Sequence, residues 1–395
     1  MSRVLWVCHF APFPSTGHGA LQRTHHIVKQ VAKAHEVHLF ILGEPQFSDE
    51  MISELGVQTV TFGGAPGNVT RFGQALRSLT SGESYWERIF FRSSLYEQLL
   101  AAAQTEPSIL ILDTGLLSAY AHGIPYRALI VNHHNVESAL LEQRADRLSG
   151  WRSLFFSHQA RKVARSEGML GRVSNLQCVV SKEDEVRLRP LIGDGRVCVV
   201  PNGVDVGFFD MLQRETFQQD PFALVFAGGM DWYPNADAMD WLVTEIWPAL
   251  IELDPRRRIT IVGKSPPKRL VDLAEIDERV TVSGFVPDVR PYVHRASAYL
   301  CPIRQGGGTR LKVLDALALG CPLVATSLAV DGLDLIDGVH FLRADTAEEM
   351  GMAIGRLHED SQLSNRLSAA GRAHVVEHFS WDQIGSRFAE IIAKL

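Results

Sequence analysis

Residues 301–320 read CPIRQGGGTRLKVLDALALG and join the end of a strand, a glycine-rich loop and the start of an apolar helix. The preceding residues, SAYLCPI, are β-formers, and LKVLDALALG carries apolar side chains at helical spacing before it ends at Gly320. A strand that runs through glycines into a helix presents bare backbone N–H groups and the positive end of the helix dipole. The stretch therefore predicts a phosphate-binding loop.

The alternation of strand and helix extends along almost the whole chain. Runs of β-formers such as RVLWVC (3–8), SILILD (108–113) and RALIVN (127–132) are separated by segments with helical periodicity. A second series of the same kind runs from ALVFAGG (223–229) to HFLRA (340–344). This order predicts parallel sheets with crossover helices, so the fold class is α/β.

Two Rossmann-like domains are the predicted organisation, since 395 residues exceed one compact core. The turn residues Pro201, Asn202 and Gly203 separate the two series of strands. We expect an N-terminal domain over 1–202 and a C-terminal domain over 203–376. A last helix over 377–395 is expected to cross back to the N-terminal domain.

Composition narrows the class of protein and its location. The net charge of −6 offers no general attraction for nucleic acid. The five cysteines have no metal-ligand spacing and lie mostly in apolar runs, which favours reduced core thiols in a cytoplasmic protein. The N-terminus reads as the first strand rather than a signal peptide, and no run is long enough to span a membrane. No metal site is predicted.

Five motifs, in order, resemble the family-four retaining glycosyltransferases of the GT-B fold. They are HHNVE (133–137), PNGVD (201–205), GGMDWYPNADAMDWL (228–242), SGFVPDVRPYV (283–293) and GGGTRLKVLDALALGCPLVAT (306–326). The resemblance spans nearly the whole chain. It implies two Rossmann-like domains facing each other across a cleft, an acceptor in the N-terminal domain and a UDP- or GDP-sugar in the C-terminal domain. It implies no tightly bound cofactor.

The resemblance also implies donor-binding residues in the C-terminal domain. Asp315 stands where the family has a ribose-binding glutamate, whereas Gly307 replaces the family's other glutamate. The arginine and lysine that usually bind the diphosphate are missing after the first strand of this domain, so we expect Arg310 and Lys312 to replace them. The remaining residues expected at the donor are Gly229, Phe285, Val286, Gly308 and Thr309. Lys264 is a weaker candidate, and a core position is the alternative for Phe285.

In the N-terminal domain, the resemblance assigns a glycine loop and a histidine to the donor. Gly17 and Gly19 lie between the first strand and a helix, where backbone can approach a phosphate. His134 follows the strand RALIVN at the edge of a parallel sheet where ligands bind. It is the predicted catalytic residue, and it would stabilise charge on the leaving diphosphate. His133 is the alternative catalytic residue. Glu137 is expected to have a structural role, in which its carboxylate interacts favourably with the N-terminal end of the dipole of the next helix.

Two aromatic and basic segments bear on the acceptor. They are YWERIFFRSSLYEQLL (85–100) and WRSLFFSHQARKVARSEGMLGR (151–172). Such helices can lie at an anionic membrane and meet a lipid-linked acceptor, which would place the protein peripherally at the inner face of the cell membrane. Packing of the same helices against the sheet explains the pattern without lipid, and it is the favoured interpretation.

The expected function is transfer of a sugar from a nucleotide diphosphate to a glycan or lipid-linked acceptor in surface polysaccharide or glycoconjugate synthesis. A sugar-nucleotide 2-epimerase would bind a similar donor without an acceptor. A catalytically degenerate binding subunit is the third interpretation. It is supported by Gly307 and Asp315, which stand where the family has two glutamates. A dinucleotide oxidoreductase is disfavoured, because no G-x-G-x-x-G follows the first strand.

Overall fold

The computed structural model describes residues 1–13, 19–44, 49–64, 71–210, 217–306 and 309–395. The chain forms two compact units. The N-terminal unit comprises Met1–Asn202 and Asp382–Leu395, and the C-terminal unit comprises Gly203–Trp381. The last helix, α16 (Trp381–Ala393), therefore packs with the N-terminal unit; there Phe388 contacts Trp6 of the first strand, with 5.7 Å between ring centroids.

The N-terminal unit contains a seven-stranded parallel sheet in the order β3-β2-β1-β4-β5-β6-β7. Its strands are β1 (Arg3–Cys8), β2 (Glu36–Ile41), β3 (Thr59–Phe62), β4 (Ile109–Leu112), β5 (Ala128–Asn132), β6 (Leu176–Val179) and β7 (Val197–Val199). The central strands β4, β5 and β6 are buried at every position, as expected for a parallel sheet covered on both faces.

The described residues of this unit form eight further helices. They are α1 (Gly19–Ala32), α2 (Asp49–Glu54), α3 (Arg71–Thr80), α4 (Tyr85–Phe90), α5 (Ser93–Thr105), α6 (Glu137–Asp146), α7 (Gly150–Val173) and α8 (Lys182–Ile192). A 3₁₀ segment, Gly115–Ala121, follows β4. The aromatic and basic stretch at 85–100 forms two helices rather than one, with extended backbone at Phe91 and Arg92 between them.

The C-terminal unit contains a six-stranded parallel sheet in the order β10-β9-β8-β11-β12-β13. Its strands are β8 (Asp220–Ala227), β9 (Arg258–Val262), β10 (Val280–Gly284), β11 (Ala296–Cys301), β12 (Leu323–Ala325) and β13 (Leu342–Arg343). Its helices are α9 (Tyr233–Trp241), α10 (Trp247–Leu253), α11 (Lys268–Ile276), α12 (Arg290–Arg295), α13 (Leu311–Ala318), α14 (Ala347–Glu359) and α15 (Ser361–His378).

Both sheets have the strand order of a Rossmann fold, so the predicted α/β class and the two Rossmann-like sheets are confirmed. In each sheet the first strand lies at the centre: β1 between β2 and β4, and β8 between β9 and β11. The crossover direction reverses there, and ligands of open α/β sheets bind at the carboxyl ends of the strands beside this point. Every strand that the sequence predicts is present.

Candidate functional site

The loops at the carboxyl edge of the C-terminal sheet carry most of the predicted donor residues. The loop after β8 contains Gly229, the loop after β10 contains Phe285 and Val286, and β11 leads through Gly306 to α13. Gly307 and Gly308 lie outside the described residues. The structure therefore brings the described donor residues that are predicted for the C-terminal domain to one edge of its sheet.

Close packing between two loops requires glycine at this edge. A Cβ atom on Gly263, which has φ +154°, would lie 2.0 Å from the carbonyl oxygen of Gly228. A Cβ on Gly228 would lie 2.4 Å from Nζ of Lys312. No side chain fits at either position without movement of backbone or of the lysine. The lysine is therefore held directly against the backbone that follows β8.

Lys312 lies on the first turn of α13, and its ammonium group has neutral partners. Nζ donates to Oδ1 of Asn235 at 2.5 Å and lies 4.4 Å from the ring centroid of Phe226. Burial lowers the pKa of Lys312 to about 8. A cation at a helix N-terminus opposes the helix dipole, so this position is favourable mainly when an anion is also bound.

Asp315 lies one turn further along α13 and is half-buried. Its Oδ1 atom is shielded from solvent and accepts no hydrogen bond from the described residues. Burial raises the pKa of Asp315 to about 8, although Lys312 opposes that shift. An unused carboxyl oxygen on the helix that follows the glycine loop is suited to hydroxyl groups of a bound ligand.

The other predicted residues at this edge differ in exposure. Thr309 is buried, and Arg310, at the N-cap of α13, is half-buried. Phe285 is 76% exposed, so the alternative of a core position for its ring is wrong. It follows Gly284, which turns the chain with φ +69°. Large aromatic rings at this exposure are suited to contact with a planar or apolar ligand.

Lys264 and Asp231 form an ion pair of 2.9 Å, and both side chains are more than half exposed. The charge of Lys264 is thus already matched, whereas the described partners of Lys312 are neutral. Lys264 remains the weaker candidate for phosphate. Asp231 also lies close to Gly229, where an added Cβ would be 2.7 Å from Oδ1 of the aspartate.

His134 and Asp113 form a buried pair at the carboxyl edge of the N-terminal sheet. Asp113 directly follows β4, and His134 lies two residues beyond β5. Nε2 of His134 lies 3.1 Å from Oδ2 of Asp113. Thr24 and Asn132 donate to the same carboxylate, at 2.5 and 2.8 Å. His134 is buried, with 7% of its surface exposed. Its Nδ1 atom has no hydrogen-bond partner among the described residues.

Asp113 is a carboxylate despite its burial. Burial alone raises the pKa of an aspartate, but the imidazole of His134 and the hydrogen bonds from His134, Thr24 and Asn132 outweigh it and hold the pKa below its usual value. Nε2 of His134 therefore carries a proton and donates a hydrogen bond to Oδ2 of Asp113. The ring orientation of His134 is set by Asp113, and Nδ1 is the ring nitrogen left for another partner.

Arg23 extends this network to the end of the unit. Its Nη2 donates to Oδ1 of Asn132 at 2.9 Å, and its Nη1 donates to the carbonyl of Pro201 at 2.9 Å. The guanidinium is almost completely buried, and burial lowers the pKa of Arg23 to about 10. Arg23 therefore links α1 to β5 and to the residues that follow β7.

His133 has a separate environment. Its Nε2 lies 2.7 Å from Oε1 of Gln177, and burial lowers the pKa of His133 to about 4. The ring is neutral at physiological pH and belongs to the interior. Of the two neighbouring histidines, only His134 is paired with a carboxylate. Gly19 is the first residue of α1, and Gly17 lies outside the described residues.

Glu137 does not have the ionised state that a helix-dipole role needs at neutral pH. It begins α6, but burial and the neighbouring Glu167 raise the pKa of Glu137 to about 8. Glu167 is fully buried and accepts hydrogen bonds from the backbone of Glu137, at 2.9 Å, and from the hydroxyl of Ser138. Half-buried Glu137 and fully buried Glu167 thus form an acidic pair at the start of α6.

Asp113 and Asn235 are not among the residues predicted from the sequence. Asp113 had a detectable signal, since an aspartate that ends the apolar run SILIL comes to the ligand-binding edge of a parallel sheet. Asn235 had none, because its contact with Lys312 joins residues 77 positions apart. In the described part of the chain, no group of three or more His, Cys, Asp or Glu side chains is arranged to hold a metal ion.

Comparisons with known proteins bear on the family and on the fold. Residues 221–360 match the family model of group 1 glycosyl transferases. A comparison with curated proteins finds no match.

Solved structures resemble the chain over its full length. Sucrose-phosphate synthase from Thermosynechococcus elongatus is 17% identical with a TM-score of 0.74, and 100% of this chain and 99% of that chain are covered. Anabaena Alr3699/HepE in complex with UDP and glucose is 16% identical with a TM-score of 0.69, and both chains are covered completely. TarM, a protein of S. aureus, is 10% identical with a TM-score of 0.67, and 99% of this chain and 98% of that chain are covered. The C-terminal unit thus matches the group 1 glycosyl transferase family over residues 221–360, and the chain as a whole has the GT-B fold.

Proposed function

We propose that the protein is a retaining glycosyltransferase that moves a sugar from a UDP- or GDP-sugar to a glycan or lipid-linked acceptor. The observation that carries this proposal is the environment of Lys312. Its ammonium is held by a neutral amide and an aromatic face, against glycine backbone and at the start of a helix. A diphosphate supplies the anion that this arrangement needs.

In the proposed donor site, Lys312 and Arg310 bind the diphosphate, and Asp315 accepts hydrogen bonds from the ribose. The exposed ring of Phe285 and the backbone at Val286 contact the nucleobase. The backbone of the protein would approach the phosphates and the sugar closely at Gly229, Gly307, Gly308 and Thr309. The structure of Anabaena HepE has been solved with UDP and with UDP-glucose. UDP is therefore the first nucleotide to test.

The proposed reaction breaks the bond between the anomeric carbon and the diphosphate oxygen. A bond from the acceptor hydroxyl oxygen forms on the same face of the sugar, and a phosphate oxygen of the leaving group takes the hydroxyl proton. His134 would stabilise charge on the leaving group through Nδ1, while Nε2 stays bound to Asp113. Gly17 and Gly19 would let the N-terminal backbone approach the donor phosphate.

We further propose that transfer serves the synthesis of surface polysaccharide or another glycoconjugate in the cytoplasm. A lipid-linked acceptor lies at a membrane, so this proposal includes peripheral contact with the inner face of the cell membrane. None of the described helices is long and apolar enough to cross a membrane.

A catalytically degenerate binding subunit is the second candidate. It is favoured by Gly307, where the resembling family has a glutamate, and by the shorter carboxylate of Asp315. A sugar-nucleotide 2-epimerase is a further alternative, which would change the donor without any acceptor.

The test is release of nucleotide diphosphate from UDP- and GDP-sugars, with and without a panel of glycan and lipid-linked acceptors. Acceptor-dependent release, with the product linkage in the donor's anomeric configuration by NMR, supports the transferase. Acceptor-free conversion of the sugar would support the epimerase instead. Donor binding without turnover on any acceptor would support the degenerate subunit.

A further inference from the structure

An exposed apolar and cationic surface lies on α3 and α7 of the N-terminal unit. We define the α3–α7 surface by Phe72 and Leu76 of α3 and by Trp151, Leu154, Arg161 and Arg165 of α7. The four apolar side chains are between 59% and 79% exposed. Burying large apolar side chains is normally favourable, so a contiguous group left in water marks an interaction site.

Helical spacing places these side chains on one side of each helix. Phe72 and Leu76 are four residues apart, and half-exposed Leu79 continues their stripe along α3. On α7, Trp151, Leu154, His158, Arg161 and Arg165 follow one another at intervals of three or four residues. Each helix therefore presents a stripe rather than scattered side chains.

Contacts between α3 and α7 make the two stripes continuous. Gln159 of α7 donates to the hydroxyl of Ser78 on α3 at 3.0 Å, and the buried ammonium of Lys162 donates to the Ser78 carbonyl. His158, which lies within the α7 stripe, forms a hydrogen bond with the backbone of Leu79. The end of the α3 stripe thus meets the middle of the α7 stripe.

The surface is cationic although the protein is anionic. Residues 147–166 contain five arginine and lysine residues and no acidic residue, and residues 71–82 contain two arginines and no acidic residue. The net charge of the protein is −6. The pKa of the adjacent His158 is lowered, first by burial and then by the charges of Lys162, Arg161 and Arg165. The effect of these charges reflects the local positive potential. The surface is therefore complementary to an anionic partner that also accepts apolar side chains.

We propose that the α3–α7 surface docks on an anionic lipid bilayer. The rings and leucines would enter the boundary between headgroups and acyl chains, and the guanidinium groups would contact lipid phosphates. A second copy of the chain would bring like charges together, because these segments contain no acidic side chain to pair the arginines. The proposal extends the peripheral contact suggested for a lipid-linked acceptor, but its test does not depend on sugar transfer.

Co-sedimentation with vesicles tests the proposal directly. The full-length protein is mixed with vesicles of phosphatidylcholine alone or with one-third phosphatidylglycerol, at low and high salt. We expect the dissociation constant for anionic vesicles to be at least about tenfold lower than for neutral ones, and to rise with salt. Phe72→Ser with Leu76→Ser, and separately Arg161→Gln with Arg165→Gln, should each weaken binding roughly tenfold.

Matched variants control for general loss of surface charge or apolarity. Ile276→Ser on α11 removes a side chain that is 84% exposed, and Arg366→Gln removes an exposed arginine on α15; neither should change vesicle binding. The fluorescence of Trp151 should be quenched by brominated lipid, and this quenching should be lost in Trp151→Phe. Unchanged thermal midpoints and unchanged stabilisation by nucleotide show that the variants are folded and separate this test from the donor site.

Equal binding of wild type to neutral and anionic vesicles, or no binding to either, would overturn the proposal. So would self-association of the wild type that Phe72→Ser with Leu76→Ser abolishes in the absence of vesicle binding, because the occupant would then be a second copy of the chain.

Discussion

The ammonium of Lys312 lies 2.5 Å from the amide oxygen of Asn235, and the same amide donates from Nδ2 to the carbonyl of Gly229 at 2.6 Å. Asn235 thus joins α13 to the loop that follows β8. Because an amide is neutral, it fixes the lysine without cancelling its charge. This arrangement leaves the charge available for a phosphate.

Two substitutions of Asn235 distinguish the effect of positioning Lys312 from the effect of leaving its charge unpaired. Asn235→Ala should weaken binding of the nucleoside diphosphate a few-fold, because the lysine loses its anchor. Asn235→Asp should weaken it further, by about tenfold or more, since a carboxylate would pair with the lysine. Titration calorimetry measures both. Stronger binding by Asn235→Asp than by Asn235→Ala would contradict the role of a neutral partner.

Lys312→Ala should raise the dissociation constant for the nucleoside diphosphate by about 10- to 100-fold, the usual effect of losing a hydrogen bond to a charged group. Lys264→Ala is the control, because Lys264 is already paired with Asp231; it should change affinity by less than about threefold. The corresponding nucleoside, which lacks phosphate, should bind both variants equally. An equal loss of affinity for the nucleoside diphosphate in the two lysine variants would contradict the special role of Lys312.

The pair of His134 and Asp113 should affect turnover more than donor affinity. His134→Ala should lower kcat roughly 100-fold, and Asp113→Asn at least about tenfold, because an asparagine no longer fixes the protonated Nε2 with a full charge. The donor dissociation constant should stay within about threefold in both. Asp146→Asn, at an exposed site, serves as the control. A proportional loss of affinity and rate would instead indicate that the pair only supports the fold.

Glu137 should make the fold less stable as pH rises. Its pKa in the folded protein is about 8, above the ordinary value of 4.5, so the folded state holds the proton more tightly than the unfolded chain. The resulting stability is complete below about pH 4.5 and is lost as pH rises to about 8. Glu137→Gln should therefore be more stable than wild type by roughly 4 kcal/mol at pH 8 and by only about 1 kcal/mol at pH 5.

Chemical denaturation at both pH values measures the effect of Glu137. Glu142→Gln, at an exposed position on the same helix, should behave like wild type at each pH. A constant difference between Glu137→Gln and wild type across this range would mean that the carboxyl does not titrate with the fold.

The strands and the two sheets were predictable because each is a local apolar run. The run SILIL, for example, is buried at every position of β4. The break between α4 and α5 was not predictable, since Phe91 and Arg92 have no helix-breaking side chains and tertiary packing decides their extended backbone.

The candidate site was predictable where one motif holds all its parts, as in Thr309 to Asp315. Partners that lie far apart in sequence were not. Nothing in the sequence indicates that Asn235 meets Lys312, or that His134 and not His133 pairs with a carboxylate. The exposure of Phe285 was also open, because a phenylalanine at the end of a strand is compatible with the core or with solvent.

The central claim is that the C-terminal unit binds a nucleoside diphosphate through Lys312. Thermal unfolding of wild type and Lys312→Ala with UDP, GDP, ADP, CMP and NAD in parallel tests it most directly. A ligand at about 100 times its dissociation constant adds roughly 2.7 kcal/mol of stability, which shifts the midpoint by several degrees. We predict such a shift for wild type with UDP or GDP and a much smaller one for Lys312→Ala at the same concentration. No shift of the folded wild-type protein with any nucleoside diphosphate, or the same shift in both proteins, would contradict the claim.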